Sequence, residues 1–399
     1  MIVHVTDCFH PRLGGIEVQV GELARAQRAS GAEIHVITAT PEGDAGLPDP
    51  GYPVHRVTAA LPWELPVHPR AGQHILRLLR RLGPDVVHVH VGAVSPFAWS
   101  AVRCAVRAGL PTVVTVHSMW DPVTRGIYRT FDQLTRWSDF PLVASTVSSA
   151  AAGLVRRVAP ELEVAVVPNG IDPSQWRVTP ASDAPAPNDA DDADNADDAD
   201  RSEDGVHVVA VGRLAPRKQP ITLLDVLRVA RSRLRPEVPL RATIAGSGPA
   251  LEAMRRHLRR HGMADWVRLA GRLDRAGIHE LLRTADVFVS PTVRESFGIA
   301  ALEARTAGVP VVARAGTGVA DFVRHGREGL LCHSAGGLGN AVAQLAGDHQ
   351  LRRRIAAHNL ATEPTHCTWP AVTSAFQRLY ERAAALSSRH ASLARPLPS

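Results

Sequence analysis

Four cysteines in 399 residues, Cys8, Cys104, Cys332 and Cys367, are too few and too scattered for a disulfide framework, and none forms a C-x-x-C pair. A reduced, cytoplasmic setting is the simplest account. No stretch approaches the ~18 consecutive apolar residues of a membrane span. Met1-Ile2-Val3-His4-Val5 has neither the basic start nor the apolar run of a secretion signal. The chain also lacks the G-x-G-x-x-G fingerprint of dinucleotide sites. What remains is ordinary globular material, 45% hydrophobic and 21% charged, long enough for two or three domains.

Charge is unevenly spread. Residues 181–204 hold ten acidic residues and one base, Arg201, within an overall net charge of +6. Setting that segment's net −9 aside leaves +15 on the rest, which suits anionic partners such as phosphorylated substrates or lipid headgroups. The abundance of Ala and Arg reads as genomic base composition, so no nucleic-acid partner is inferred from it. The acidic segment is low in complexity and poor in apolar side chains, so 174–204 is expected to be a disordered linker between domains.

On either side of it, strands alternate with helices. Ile2–Val5, a loop ending in Gly14-Gly15, a helix from Ile16 to about Ser30 and a strand over 33–38 make a Rossmann-type beginning. Helices are expected over 70–82, 95–108 and 149–158, with strands over 85–90, 111–116, 141–146 and 164–167. A second alternation starts at Val206 and ends in helices from Leu338 to about Leu386. This pattern predicts an α/β protein with two parallel sheets, whose ligands bind beyond the strand C-terminal ends. That rule selects Gly14 and Gly15, His90, His117 and Asn169 in the first half. Gly14-Gly15 is either a tight turn or a place where a ligand nears the backbone. His88 and His90 lie on one side of their strand, but no third ligand follows at metal spacing, so no metal site is expected.

In the second half the strand Asp286–Pro291 leads into Arg294-Glu295-Ser296-Phe297-Gly298-Ile299 and then a helix ending near Gly308. Ser296 is expected to cap that helix, leaving the backbone N–H groups of Phe297, Gly298 and Ile299 free for a phosphate. Glu295 precedes those donors and Glu303 lies about two turns on. Arg213 and Lys218 share the loop after Val206–Val211, where both can grip one diphosphate.

Gly14-Gly15-Ile16-Glu17, Val167-Pro168-Asn169-Gly170, Gly212-Arg213-Leu214 with Lys218, Gly246-Ser247-Gly248-Pro249, Glu295 with Glu303, and Gly308-Val309-Pro310 occur in this order. Together they resemble glycosyltransferase family 4, over nearly all of residues 1–385 outside the acidic segment. The resemblance implies a GT-B fold: two Rossmann-like domains facing each other across a cleft, residues 1–173 on the acceptor side and 205–370 on the donor side. A helix at about 371–386 would cross back to the first domain. It further implies a retaining, metal-independent transfer from a nucleotide-diphosphate sugar to an acceptor hydroxyl, with no cofactor. Arg213 and Lys218 would hold the diphosphate, Glu295 the donor sugar and Glu303 the ribose. His117 would lie close to the donor sugar, and His90 and Asn169 on the acceptor side. Relatives usually carry Gly-Gly-x-x-Glu where this chain has Thr317-Gly318-Val319-Ala320-Asp321, so no role is assigned to Asp321.

The acceptor is either lipid-linked or a small molecule. The helix over 70–82, with Ile75, Leu78, Leu79 and Leu82 on one side and Arg77, Arg80 and Arg81 on the other, suits either docking on an anionic membrane surface or packing on the sheet. Two alternatives stand beside the transferase. A GT-B-type epimerase would convert a nucleotide sugar with no acceptor present. A non-catalytic binding protein would take the nucleotide sugar and turn nothing over.

Overall fold

The structure is a computed structural model that describes residues 1–12, 14–42, 49–58, 70–178 and 205–393. It divides into two compact units, one made of Met1–Ile171 with Thr365–Ser399, the other of Asp172–Pro364.

The first unit holds a seven-stranded sheet of β1 (Ile2–Thr6), β2 (Ile34–Thr38), β3 (Val54–Arg56), β4 (Val86–Val91), β5 (Thr112–Val116), β6 (Val143–Thr146) and β7 (Val164–Val166). The order is β3-β2-β1-β4-β5-β6-β7, and every pairing is parallel. Valine-rich strands buried on both faces need cover on both. On one face Val3, Val5, Val87 and Val89 pack with α2 (Ala71–Leu82) and α3 (Pro96–Arg107) through Ile75, Leu79 and Phe97. On the other, Ile2, Val36, Val86 and Val113 pack with Val20 and Leu23 of α1 (Gly15–Ala29).

The elements expected between residues 2 and 167 are found within a residue or two of their predicted ends, with two additions. One is the short edge strand β3. The other is α4 (Pro122–Thr135), whose start is capped by Asp121 accepting from the Thr124 N–H at 2.8 Å. Tyr128 anchors α4, stacked on Trp120 at 4.0 Å, while Val123, Ile127 and Leu134 face solvent. That outward apolar set hides the helix from a periodicity reading. A further helix, α5 (Ser149–Arg156), is capped by Ser148, whose hydroxyl accepts from the Ala151 N–H.

The second unit has six parallel strands: β8 (Val206–Val211), β9 (Leu240–Ala245), β10 (Val267–Gly271), β11 (Val287–Ser290), β12 (Val311–Arg314) and β13 (Gly329–Cys332). Their order is β10-β9-β8-β11-β12-β13. The helices are α6 (Pro220–Arg233), α7 (Leu251–Arg260), α8 (Arg275–Arg283), α9 (Ile299–Thr306), α10 (Ala335–Gly347) and α11 (His349–Ala361). Leu224 and Leu227 of α6 and Leu338, Val342 and Leu345 of α10 are fully buried in one cluster with Val208, Ile244 and Val289. The chain then returns to the first unit as α12 (Trp369–Leu393), which adds Val372, Phe376 and Tyr380 to the cluster beneath α1.

The expected linker begins later than composition suggests. Residues 173–175 form a short 3-10 turn whose Ser174 N–H is accepted by Asp172, and Trp176 is buried with Arg275 stacked 5.5 Å from its ring centre. The acidic part of that segment, from 179 to 204, lies outside the described residues.

Of the two readings for helix 70–82, packing on the sheet accounts for its apolar side. Ile75 and Leu79 are wholly buried, Leu78 and Leu82 pack on the same cluster, and the exposed residues include Arg77, Arg80 and Arg81. The substitution Leu79→Ala is therefore expected to destabilise the first unit by about 2–5 kcal/mol, measured by urea unfolding. A loss within the ~0.5 kcal/mol of a surface change would contradict the packing.

Candidate functional site

In the second unit two loops after adjacent strands meet. Beyond β8, Gly212-Arg213-Leu214 runs into a 3-10 turn over Pro216–Lys218. The β9 loop holds it in place: the Leu214 N–H donates to the Ser247 carbonyl, and the Ala250 N–H to the Leu214 carbonyl, both at 2.9 Å. Arg213 is exposed and makes no ion pair among the described residues. Lys218 reaches the loop after β11, where its ammonium lies 2.6 Å from Glu295 Oε2. The Thr292 hydroxyl donates to the Lys218 carbonyl at 3.3 Å, tying the two loops together. Both members of the pair remain accessible, Lys218 at 31% and Glu295 at 13%. So accessible a pair contributes little to stability, and each partner is open to a ligand.

The start of α9 differs from the expectation. Its cap is Gly298, not Ser296, and Gly298 adopts φ 97°, a left-handed conformation that a side chain would strain. By helix geometry the free donors are therefore the N–H groups of Gly298, Ile299, Ala300 and Ala301, and of the three expected only Phe297 drops out. The first helical bond is from the Leu302 N–H to the Gly298 carbonyl. The Phe297 ring is buried against Phe322 at 5.2 Å, so that residue offers a ligand its main chain at most. The loop after β12 supports this turn closely. The Gly318 N–H donates to the Glu295 carbonyl, and a Cβ on Gly318 would fall 2.1 Å from the Ser296 carbonyl oxygen. Because the helix starts late, Glu303 is only about one turn into it, and it is partly exposed.

In the first unit Gly14 caps α1 with extended backbone, φ −167°. The room left by its missing side chain is taken by Glu17, whose Oε2 lies 2.4 Å from where a Cβ would sit. Gly15 is exposed. A carboxylate at the start of α1 competes with any anion there, so phosphate approach would require Glu17 to move.

Parallel register brings a polar line into the face under α1 and α12. His4 on β1 pairs with His88 on β4, and Thr6 with His90. The rings connect in turn: His117 Nε2 with His90 Nδ1 at 3.0 Å, His90 Nε2 with His4 Nδ1 at 2.9 Å, and His4 Nε2 with Gln27 Oε1 at 2.8 Å. Gln27 Nε2 donates to the Tyr380 hydroxyl at 2.8 Å, which meets His88 Nδ1 at 2.9 Å. His88 Nε2 bonds Thr115, and Thr115 bonds Ser145, both at 2.7 Å. Burial pushes His4 and His117 down to about 4 and holds His88 and His90 well below the usual imidazole range, so all four rings are neutral near pH 7.

His4, the third ligand that spacing along one strand misses, stands with His88 and His90 so that one ring nitrogen of each falls within 4.8 Å of the others. Every ring nitrogen of the three is engaged in the hydrogen bonds above.

His90, His117 and Asn169 also line one small cavity of about 10 Å³, room for roughly one water. The Asn169-Gly170 turn is held there by Gln19, whose amide accepts from the Gly170 N–H at 3.0 Å and donates to its carbonyl at 3.2 Å. A larger cavity of about 290 Å³, lined by Arg103, Val106, Arg107, Leu134, Thr135 and Phe140, contains none of the candidate site residues.

The sequence reading passed over His4, Gln19, Gln27 and Tyr380. It also passed over the plainest signal in the chain: of 45 Lys and Arg residues, Lys218 alone is lysine.

Two Rossmann-like parallel-sheet units of this kind define the GT-B class of glycosyltransferases, and the comparisons agree. The structure superposes on Anabaena Alr3699/HepE in complex with UDP and glucose with a TM-score of 0.72 at 19% identity, covering 95% of this chain and 99% of that one. It matches the sucrose-phosphate synthase of Thermosynechococcus elongatus with a TM-score of 0.74 at 18% identity, covering 96% and 99%. The sequence profile described as "Glycosyl transferases group 1" matches residues 191–359, and that of "Glycosyltransferase Family 4" matches residues 13–175. The D-inositol 3-phosphate glycosyltransferase of Pseudarthrobacter chlorophenolicus is 31% identical over 371 residues, 85% of this chain and 83% of that protein. The protein of the same description from Jonesia denitrificans is 29% identical over 416 residues, 96% and 95%. The chain belongs to the group 1, family 4 glycosyltransferases.

The buried rings make a pH prediction. Each is neutral in the fold and titrates near 6.5 when unfolded, so between about 6.5 and 4 the unfolded chain binds more protons. Stability should fall with acidification through that window, by roughly 1.4 kcal/mol per pH unit for each ring. Asp7, pushed up to about 7 by burial, acts in the opposite sense and offsets one ring. Urea midpoints of the first unit that stay flat from pH 7 to 4.5 would contradict this.

Proposed function

We propose that the chain transfers a sugar from a nucleotide-diphosphate sugar to an acceptor hydroxyl with retention of configuration and without a metal ion. The observation that carries this reading is the sole lysine. In a chain that otherwise uses arginine for every basic position, one compact ammonium stands at a strand end, 2.6 Å from Glu295. Arg presents a planar fork, whereas Lys is a point charge that can pivot between partners.

As the sugar–phosphate bond breaks, the leaving diphosphate gains negative charge. Lys218 would turn from Glu295 to that charge, and Arg213 and the free N–H groups at the start of α9 would add to it. Fixed donors of this kind replace a metal ion. Glu295, released from Lys218, would accept hydroxyls of the donor sugar, and Glu303 those of the ribose. His117 would accept a further sugar hydroxyl, with His90 and Asn169 on the acceptor side and Gly14-Gly15 serving the donor once Glu17 has moved. The departing phosphate would deprotonate the acceptor on the same face of the sugar, which retains configuration without a pair of hydrolase-type carboxylates.

The HepE complexes with UDP and with UDP-glucose support a uridine nucleotide sugar as the first donor to test. The relatives' description supports a phosphorylated polyol such as D-inositol 3-phosphate as the first acceptor. A cytoplasmic location, with contact at the inner face of the membrane, is part of the same proposal. With the apolar side of α2 in the core, such contact would rest on Arg77, Arg80 and Arg81 and would be screened by salt.

The first test is a thermal-shift screen of UDP, GDP and ADP and their glucose conjugates, with and without EDTA. One nucleotide family should stabilise the protein, EDTA should change nothing, and the substitution Lys218→Ala should remove the shift and lower kcat/KM by roughly 10²–10³. Reductive methylation, which marks only Lys218 and the chain's amino terminus, should give a Lys218 resonance that moves on nucleotide binding. A shift that survives Lys218→Ala, or an unmoved resonance, would remove the lysine from the site. Conversion of the nucleotide sugar with no acceptor present would favour the epimerase, and binding without turnover the non-catalytic reading. Charge reversal at Arg77, Arg80 and Arg81 should lower binding to phosphatidylglycerol vesicles; equal binding would end the membrane proposal.

A further inference from the structure

The polar line in the first unit has a direction. A neutral imidazole carries one N–H and one bare nitrogen, so a ring that donates at one nitrogen must accept at the other. Gln27 presents its carbonyl oxygen to His4, so His4 carries its proton on Nε2 and accepts on Nδ1. His90 must then donate from Nε2 to His4 and accept on Nδ1, and His117 must donate from Nε2 to His90. The atom left over is His117 Nδ1, which has no partner among the described residues. On the other side the Gln27 amide donates to Tyr380, whose proton passes to His88 Nδ1, so that His88 donates from Nε2 to Thr115. Both arms take their sense from the one group that cannot rearrange its own protons, the carboxamide of Gln27.

We propose that Gln27 is a positioning residue that, through His4 and His90, holds His117 in the Nε2–H tautomer and so presents Nδ1 as a hydrogen-bond acceptor to substrate. Gln27 touches no substrate. It is buried on α1 at 4% exposure, two rings away from the atom it controls. The consequence for chemistry rests on the reading of His117 as a contact for a donor-sugar hydroxyl; the tautomer itself does not.

Two substitutions separate this role from packing. Methionine at 27 fills the volume but offers no acceptor. A buried N–H left unpaired costs more than a bare ring nitrogen. The line in Gln27→Met should therefore reverse, with His4 bare at Nε2 and His117 now protonated on Nδ1. A carboxylate can only accept. In Gln27→Glu, His4 keeps its Nε2–H and His117 keeps its tautomer, but Tyr380 must now donate to residue 27, so His88 changes to Nδ1–H. If Gln27 merely filled space, methionine would be the harmless substitution and glutamate the disruptive one.

The experiment is two-bond ¹H–¹⁵N correlation on histidine-labelled protein, with the His117 signal assigned by its loss in His117→Phe. The expected result is Nε2–H for His117 in the native chain and in Gln27→Glu, and Nδ1–H in Gln27→Met. Calorimetry with two probes gives the functional side: Gln27→Met should bind UDP-glucose about tenfold more weakly, the worth of one hydrogen bond, and UDP unchanged. Nδ1–H for His117 in the native chain overturns the proposal, as does one tautomer in all three proteins. The native measurement decides even if a variant fails to fold. Should the tautomers behave as expected while UDP-glucose affinity does not change, the line stands and the assignment of His117 to the donor sugar falls.

Discussion

Parallel pairing is the constraint on which both units depend. When every strand runs the same way, every strand ends at the same edge, and side chains two residues apart face the same layer. The first consequence brings the loop after β8, with Arg213 and Lys218, next to the loop after β11, where Lys218 meets Glu295, because β8 and β11 are neighbours. The second aligns His4 with His88 and Thr6 with His90 across one face. Neither grouping needs residues close together in the chain; both need only strand order and register.

The two sites solve different electrostatic problems. In the second unit opposite charges stay near solvent, where an ion pair costs little to form and little to open. Such a pair suits a site that must exchange partners when a diphosphate arrives. In the first unit the groups are buried and uncharged, and every ring finds a partner, so the cost of burying polar atoms is offset bond by bond. That arrangement does not exchange easily. It sets an orientation and keeps it.

Much of this was legible in the residues. Alternating apolar runs and capped helices placed every strand of both sheets except β3, and six short motifs in order placed the family. The strand-end rule selected Gly14, Gly15, His90, His117 and Asn169, and the loops carrying Arg213, Lys218 and Glu295 were named for their fit to a diphosphate and a sugar. What escaped has physical reasons. α4 turns Val123, Ile127 and Leu134 outward, so its apolar spacing does not mark a buried face. The cap of α9 is Gly298 and not Ser296, in a turn that Gly318 of a different loop backs so closely that a side chain there would meet the Ser296 carbonyl, a neighbour invisible to local reading. The histidine line depends on register between β1 and β4, whose paired residues lie 84 positions apart, and on a tyrosine from the last helix.

That last helix also bears on how the chain is made. The bond between Gln27 and Tyr380 spans 353 positions, and the whole second unit is inserted between β7 and α12. During synthesis the second unit is finished and free to fold while the first still lacks a layer. Until the C-terminal residues emerge, the face carrying His4, His88 and His90 lacks the cover that Val372, Phe376 and Tyr380 add to that of α1. Completion of the N-terminal half is thus a late, long-range event, slow by the measure of sequence separation, and a nascent chain arrested before Trp369 would carry an open apolar sheet face for chaperones to cover.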